Sequence, residues 1–354
     1  MTERLSQPVT AGATQPDDIY QNPEIVLQVR HLKKYFPLES GFFRRRVGVV
    51  RAVDDVSFTI REGETVSLVG ESGCGKTTTS RCIVRALDPT DGEILYRTYE
   101  GNVVDLARMS QAEIRPLRRG IQMVFQDPFS SLNPRMTIYE IVSEPLRVHN
   151  IGTRQEREER VADLLRRVGL RAEYMRRFPH AFSGGQRQRI GIARALAANP
   201  RLIVADEPVS ALDVSVQAQV LNLMMDLQDE FKLTYLFVAH DLSVVNQISN
   251  KVLVMYVGRV VEVGPPQELF KAPKHPYTAA LIASVPRPDP FQRKERIIPE
   301  GEVANPANPP SGCYFHPRCP FAVERCRQET PQLEEIAPGR LVSCHRAREL
   351  ELAV

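Results

Sequence analysis

An α/β fold is predicted by three features of the sequence. The apolar run Val66–Val69 reads as a buried strand and passes directly into Gly70-Glu71-Ser72-Gly73-Cys74-Gly75-Lys76-Thr77, after which a helix begins. Two more apolar runs, Leu202–Ala205 and Thr234–Ala239, end in Asp206-Glu207 and His240. That carboxyl end of a strand is where open α/β sheets place their ligands. Past Gly264 the composition changes: 15 of the 27 prolines fall between Pro265 and Pro338, and four of the six cysteines lie beyond Gly264. A loop-rich extension therefore follows the sheet.

The stretch from Gly70 to Thr77 has two glycines spaced by four residues and followed by Lys and a hydroxyl residue, the phosphate-loop pattern. Glycines let successive backbone N–H groups curl around phosphate oxygens, Lys76 adds a point charge, and the Thr77 hydroxyl can ligate Mg²⁺ at the positive end of the helix. Gly70, Ser72, Gly73, Cys74, Gly75, Lys76, Thr77 and Thr78 are the candidate phosphate contacts. A purely structural glycine turn is the weaker reading, because strand, loop and helix stand in the right order.

With 354 residues, two domains are expected. A formal charge of +3 from nearly balanced acids and bases is poor support for a duplex-binding protein with a dense basic face. Residues 1–24 read as a flexible polar tail without an apolar signal core, and no apolar run approaches the ~20 residues that cross a bilayer. The expectation is a cytosolic chain unless a partner holds it elsewhere, with cysteines free, catalytic or metal-bound before disulfide-paired.

In chain order, Ile25–Val29 and Val53–Ile60 alternate as strands, with Phe42 to Arg46 in a loop between them, most simply a solvated one. Tyr35 could stack on a purine base, although a surface or core tyrosine is the commoner role. The helix after Thr77 puts Ile83, Val84 and Leu87 on one face, so Cys82 is packing. Ile121–Phe125 is again a strand and delivers Gln126 at its end. Asn133-Pro134 turns the chain into a helix over Thr137–Val148, and Arg154–Val168 reads as a charged amphipathic helix. Ser183, Gly184, Gly185 and Gln186 open a helix running to about Ala198, a second place for phosphate oxygens but a weak signal alone. Asp206 can hold Mg²⁺ through water, and Glu207 can orient or deprotonate an attacking water. His240 can donate to a γ-phosphate, although a lone His at a strand end is more often structural. Lys251–Val263 reads as a hairpin turning at Gly258.

Taken together, the phosphate loop, Gln126, Ser183-Gly184-Gly185-Gln186, Asp206-Glu207, Ser210-Ala211-Leu212-Asp213 and His240 resemble, in order and spacing, an ATP-binding cassette (ABC) ATPase over about Ile25 to Gly264. Phe43 to Phe58, Phe125 to Pro128 through Leu132 to Pro134, His275-Pro276-Tyr277 and the cysteine tail resemble more narrowly the ATP-binding subunits of dipeptide and oligopeptide importers. The arginine-containing loop before Ala52 and the run Asn133 to Met136 resemble the second, or F-type, subunit of the pair. Phe182 stands where Leu is commoner, an apolar exchange. The resemblance implies an ABC-type α/β fold with a helical subdomain at about 127–185 and an antiparallel β subdomain, within a cassette domain over 25–270 and an extension over 271–354. It also implies a sandwich of two ATPase subunits, a heterodimer, beneath two permease subunits on the cytoplasmic face of the inner membrane, with an external peptide-binding protein and no nucleic acid. By the same resemblance Tyr35 stacks adenine, the loop residues hold ATP, Thr77 and Gln126 serve Mg²⁺ beside Asp206, and Lys76, Glu207 and His240 are catalytic. Ser183 and Gly185 serve the ATP of the opposite subunit, and Asp213 signals across the interface. Cassette ATPases acting on nucleic acid, import of another solute such as a nickel complex, and a metal-binding regulator with a vestigial ATPase are the rival readings. The first lacks a second cassette, a coiled coil or a basic face here, and the intact Glu207 and His240 oppose the last.

Cys313, Cys319, Cys326 and Cys344 are spaced C-x5-C-x6-C-x17-C. Four thiolates suit tetrahedral zinc or a cubane iron-sulfur cluster, and the gaps lack the short C-x2-C knuckles usual for structural zinc. The importer resemblance favours a [4Fe-4S] cluster, with Zn²⁺ and free or disulfide-paired thiols as alternatives. His316 and His345 flank this set without being assigned as ligands.

Overall fold

The computed structural model describes residues 18–40, 45–284 and 301–352. Its first two strands, β1 (Ile25–Ser40) and β2 (Arg45–Arg61), form one long antiparallel hairpin with several register shifts. The sequence reading places strand only at Ile25–Val29 and Val53–Ile60. Beyond those stretches the hairpin leaves Phe36, Leu38 and Val49 exposed, so the half-buried alternation that marks a strand is lost. Arg45 and Arg46, expected in a loop, begin β2, while residues 41–44 lie outside the described residues.

β3 (Thr65–Val69) is buried at every position and delivers the phosphate loop to α1 (Lys76–Ile83). The helix stops at Ile83 rather than carrying Val84 and Leu87 on its face, and both pack from the following turn against the same core. Next come β4 (Asp91–Arg97), β5 (Val103–Asp105), α2 (Gln111–Leu117) and β6 (Ile121–Val124). The helix expected over Thr137–Val148 is two pieces, α3 (Ile138–Val142) and α4 (Glu144–Val148). Pro145 has no N–H for the Ile141 carbonyl, which breaks the run at Ser143. Thr137 starts α3 with a reciprocal box to Glu140, and Thr153 does the same with Glu156 for α5 (Arg154–Arg167).

α6 (Gly184–Leu196), β7 (Leu202–Asp206), α7 (Val214–Phe231), β8 (Thr234–Ala239) and α8 (Leu242–Ile248) complete the wound part. β9 (Lys251–Tyr256) and β10 (Arg259–Gly264) form the expected hairpin, with Gly258 at φ +80°. After α9 (Pro266–Lys271) and α10 (Pro276–Ser284), the extension holds α11 (Glu324–Gln328), β11 (Glu334–Ala337) and β12 (Arg340–Val342).

The main sheet runs β11-β12-β10-β9-β3-β8-β7-β6, parallel from β9 through β6 and antiparallel at the other end. A second, antiparallel sheet runs β2-β1-β4-β5. Side chains along the central strands alternate between two cores. Ile203, Ala205, Tyr235 and Phe237 face a core shared with α3 to α7. Leu202, Val204, Leu236 and Val238 face one shared with α1 and the antiparallel sheet. Strands buried on both faces become continuous apolar runs, which is why these were legible.

The extension is tied into this sheet. β12 pairs with β10, and Glu262 on β10 is fully buried. Its carboxylate accepts the backbone N–H groups of Lys274 and His275 at 2.9 Å each and the Arg340 guanidinium at 3.0 Å. One carboxylate thereby fixes the start of α10 and the strand β12.

Candidate functional site

β3, β8, β7 and β6 are neighbours and parallel, so their carboxyl ends share one edge. That edge gathers Lys76, Thr77, Asp206, Glu207, His240 and Gln126 from positions up to 164 apart (240 − 76). The loop closes tightly against the sheet. A Cβ on Gly70, at φ +152°, would lie 2.2 Å from the Met255 carbonyl oxygen, and one on Gly75, at φ +109°, 2.1 Å from that of Ala52. No larger residue fits either place. Lys76 is buried, and its Nζ donates to the carbonyls of Gly70 at 2.8 Å and Glu71 at 3.1 Å. Ser72 and Gly73 are exposed at the mouth, Cys74 is buried beneath, and Thr78 is half-buried on α1.

The Thr77 hydroxyl donates to Asp206 Oδ1 at 3.1 Å. Burial pushes the Asp206 carboxyl above its ordinary value, against the Thr77 hydrogen bond. Glu207 has φ +46°, an uncommon conformation for a residue with a side chain, and its N–H is held by the Val238 carbonyl at 2.9 Å. One oxygen of its carboxylate, Oε2, receives Gln126 Nε2 at 2.9 Å and faces His240 Nδ1 at 3.1 Å. Three residues from three strand ends thus meet at one atom.

Ser183 caps α6, accepting from the Gln186 N–H while Gln186 accepts from Ser183. Gly184 packs against Leu212 and Phe129, and a Cβ on Gly185 would meet Val216 at 2.4 Å. Among the described residues no hydrogen bond joins Ser183–Gln186 to the phosphate loop. Asp213 is exposed ahead of α7.

Tyr35 lies on β1, half-buried, with its hydroxyl on Asp54 Oδ1. Burial raises the Tyr35 pKa, helped by that carboxylate. Asp54 is a residue the sequence reading missed. It also receives Arg259 through Nε at 3.0 Å and Nη2 at 2.8 Å, and the Tyr314 hydroxyl at 2.9 Å. Although burial alone would raise it, these donors hold the Asp54 carboxyl below its ordinary value. A lone Asp in a strand carries no sign of partners so far along the chain.

Cys313, Cys319, Cys326 and Cys344 line one small pocket with His275, Phe315, His316 and His345. All four are free thiols, and burial pushes Cys313, Cys319 and Cys344 up to about 11. Among the described residues, no three His, Cys, Asp or Glu side chains gather around a single metal-ion position.

This sheet, with a phosphate loop and an acid pair at one edge, defines an ATP-binding cassette. The chain matches the ABC transporter family over residues 53–210 and the oligopeptide/dipeptide transporter C-terminal region over residues 261–326. The cassette MJ0796, solved as a dimer in a post-hydrolysis state bound to ADP and Pi, superposes with a TM-score of 0.59 at 30% identity, covering 68% of this chain and 98% of that one. The oligopeptide transport ATP-binding protein AppF of Bacillus subtilis is 54% identical over 327 residues, 92% of this chain and 98% of the relative. The dipeptide transport ATP-binding protein DppF of Haemophilus influenzae is 51% identical over 314 residues, 88% and 94% of the two chains. The chain belongs to the family of ATP-binding subunits of oligopeptide and dipeptide ABC transporters. Among the described residues no helix is long and apolar enough to cross a membrane.

Proposed function

We propose that this chain binds and hydrolyses ATP to power import of di- or oligopeptides, as one of two cassettes beneath a membrane permease. The observation that carries the chemistry is the meeting of Gln126, Glu207 and His240 at one carboxylate oxygen, beside the Thr77–Asp206 pair and the buried Lys76. In this reading Tyr35 stacks the adenine, and backbone N–H groups from Gly70 to Thr78 cradle the phosphates with Lys76. Thr77, Asp206 and Gln126 would hold Mg²⁺, which would neutralise phosphate charge. Glu207 takes the proton of the attacking water, and His240 donates to the γ-phosphate. The separation of Ser183–Gln186 from the phosphate loop supports a second cassette: a glycine-led helix start from a partner covers the phosphates that one chain leaves open. Asp213 lies on that facing surface. In this reading the two cassettes form a heterodimer, and the likeness to AppF and DppF supports the F-type position for this chain. Phe125 and Phe129, 43% and 55% exposed beside Gln126, support a docking place there for a cytoplasmic permease helix, with the chain peripheral on the inner membrane. The cassette spans 25–270, with its helical part at 127–185, and the extension 271–354.

The decisive experiment is ATP turnover by the assembled transporter carrying Glu207→Gln. A rate equal to wild type sinks the assignment, and turnover without any facing cassette sinks the pairing.

We further propose a [4Fe-4S] cluster at the four thiols; what supports it is that all four line one pocket. Buried thiols with raised pKa are poor free nucleophiles but become ligands once a cation removes their protons. Cys313, Cys319, Cys326 and Cys344 would hold it, and the group would supply a covalent staple for a lobe with little apolar core. Anaerobic purification with iron and sulfide assay decides between the cluster and zinc: a colourless, zinc-loaded protein refutes the cluster.

A further inference from the structure

A five-residue stretch of the extension, Tyr314 to Arg318, reaches both ends of the nucleotide site. At the phosphate end the Arg318 guanidinium forks onto Glu71, Nη1 to Oε2 at 3.0 Å and Nη2 to Oε1 at 3.3 Å, and the Arg318 side chain is only 10% exposed. Glu71 is part of the phosphate loop itself. Its carbonyl accepts from Lys76, and its N–H donates to the Tyr277 hydroxyl at 2.8 Å. At the base end the Tyr314 hydroxyl donates to Asp54, the same carboxylate that takes the Tyr35 hydroxyl, and the Arg259 guanidinium lies 4.3 Å over the Tyr314 ring. Between the two, Phe315 packs its ring 5.3 Å from Tyr256 and 5.5 Å from Tyr277.

The electrostatics give these contacts a purpose. A carboxylate on the loop that must receive a triphosphate repels it, and an unpaired Glu71 would oppose the charge of Lys76. A bidentate guanidinium removes most of that penalty and fixes the loop in one geometry. Asp54 poses the same problem near Tyr35: its charge must be satisfied from behind so that the ring stays in place for the base. The donors for both acids come from one short segment, bounded by Cys313 and Cys319.

We propose that Arg318 and Tyr314 are positioning residues of the nucleotide site, acting on the phosphate loop through Glu71 and on Tyr35 through Asp54. The inference rests on the reading of that site as an ATP site. Neither residue touches the reacting atoms, so their loss weakens nucleotide binding and raises KM while kcat in the assembled transporter is largely retained.

The test is equilibrium binding of ATP to the purified full-length chain, followed by steady-state turnover of the complex. Arg318→Gln is expected to weaken binding about tenfold, the scale of a charge-assisted pair. Adding Glu71→Gln to it restores most of the affinity, because the uncompensated charge is gone; a merely structural role for Arg318 would give no such rescue. Tyr314→Phe removes one hydroxyl, keeps the ring, and is expected to weaken binding about threefold, the scale of a single hydrogen bond. It provides an independent arm should Arg318→Gln fold poorly. Affinities within twofold of wild type in these variants, or a loss that Glu71→Gln does not reverse, overturn the positioning. A wild-type chain that binds no ATP overturns the ATPase reading itself.

Discussion

At the phosphate edge, Gln126, Asp206-Glu207 and His240 stand at the ends of parallel strands whose neighbours hydrogen-bond along their length, and Lys76 opens the helix that the phosphate loop joins to a fourth. In the thiol pocket the four cysteines hang from loops and from the five-residue helix α11, with Cys344 just past the three-residue β12. The first centre borrows its precision from a ladder buried on both faces. The second depends on a few polar latches, above all Glu262 with Arg340 and the N–H groups of Lys274 and His275. A changed side chain at the edge should therefore alter chemistry and leave the fold alone, whereas a broken latch should loosen the fold before it touches chemistry.

The largest effect that sharpens this contrast is at Glu207. Glu207→Gln keeps the shape and can still accept Gln126, but cannot take a proton, so turnover should fall by about 10²- to 10⁴-fold. Thermal unfolding of the same variant should stay within a few degrees of wild type. A melting point that collapses along with activity would mean the edge is not the preformed scaffold described here.

At the latch the expectation is reversed. Arg340→Met leaves Glu262 buried with its charge unpaired, and breaking such a pair from one side costs about 3–5 kcal/mol. Denaturant unfolding reads this directly. Removing both charges, with Glu262→Gln added to Arg340→Met, should recover much of the loss, since the Gln oxygen can still accept the backbone N–H groups at the start of α10. A single change worth less than about 1 kcal/mol would show that the extension is held by something other than this carboxylate.

The same contrast explains which parts were legible in the sequence. β3, β7 and β8 are buried at every position and read as largely apolar runs because both faces are covered, and the polar residues at and after their ends mark the edge. The outer half of the β1–β2 hairpin lacks a covering layer, so nothing in its side chains announces a strand, whereas the break at Ser143 was signalled by Pro145 and overlooked within an otherwise helical pattern. The cysteine spacing was conspicuous, but not the route by which its loop meets the nucleotide site. Glu71 and Arg318 are 247 positions apart, and Asp54 and Tyr314 are 260 apart. No local periodicity relates such residues. Tertiary packing, such as Phe315 against Tyr256 and Tyr277, brings them together, and an isolated Asp, Glu or Arg in a sequence carries no direction.

The effect that depends on pH lies between the two regions, at His275. This side chain is wholly buried against the thiol pocket, and burial pushes its pKa down to about 3. Its Nδ1 accepts the Tyr277 N–H at 3.1 Å at the start of α10, so the folded state holds the neutral ring. The unfolded chain, with an ordinary value of about 6.5, takes up a proton that the folded chain refuses. Stability contributed by the neutral ring is therefore complete above pH ~6.5 and is lost as the pH falls toward 3, at up to about 1.4 kcal/mol per pH unit. His275→Asn keeps an oxygen able to accept the same N–H and removes the titration. The variant is expected to lose packing energy at every pH, but its stability should fall less steeply than wild type between pH 6.5 and 4. Because each protein is compared with itself across pH, acid effects on the thiols and carboxylates cancel in the difference of slopes. Identical slopes would mean that the ring takes up its proton in the folded state too, and that the lobe behind the nucleotide site opens to water more readily than its packing implies.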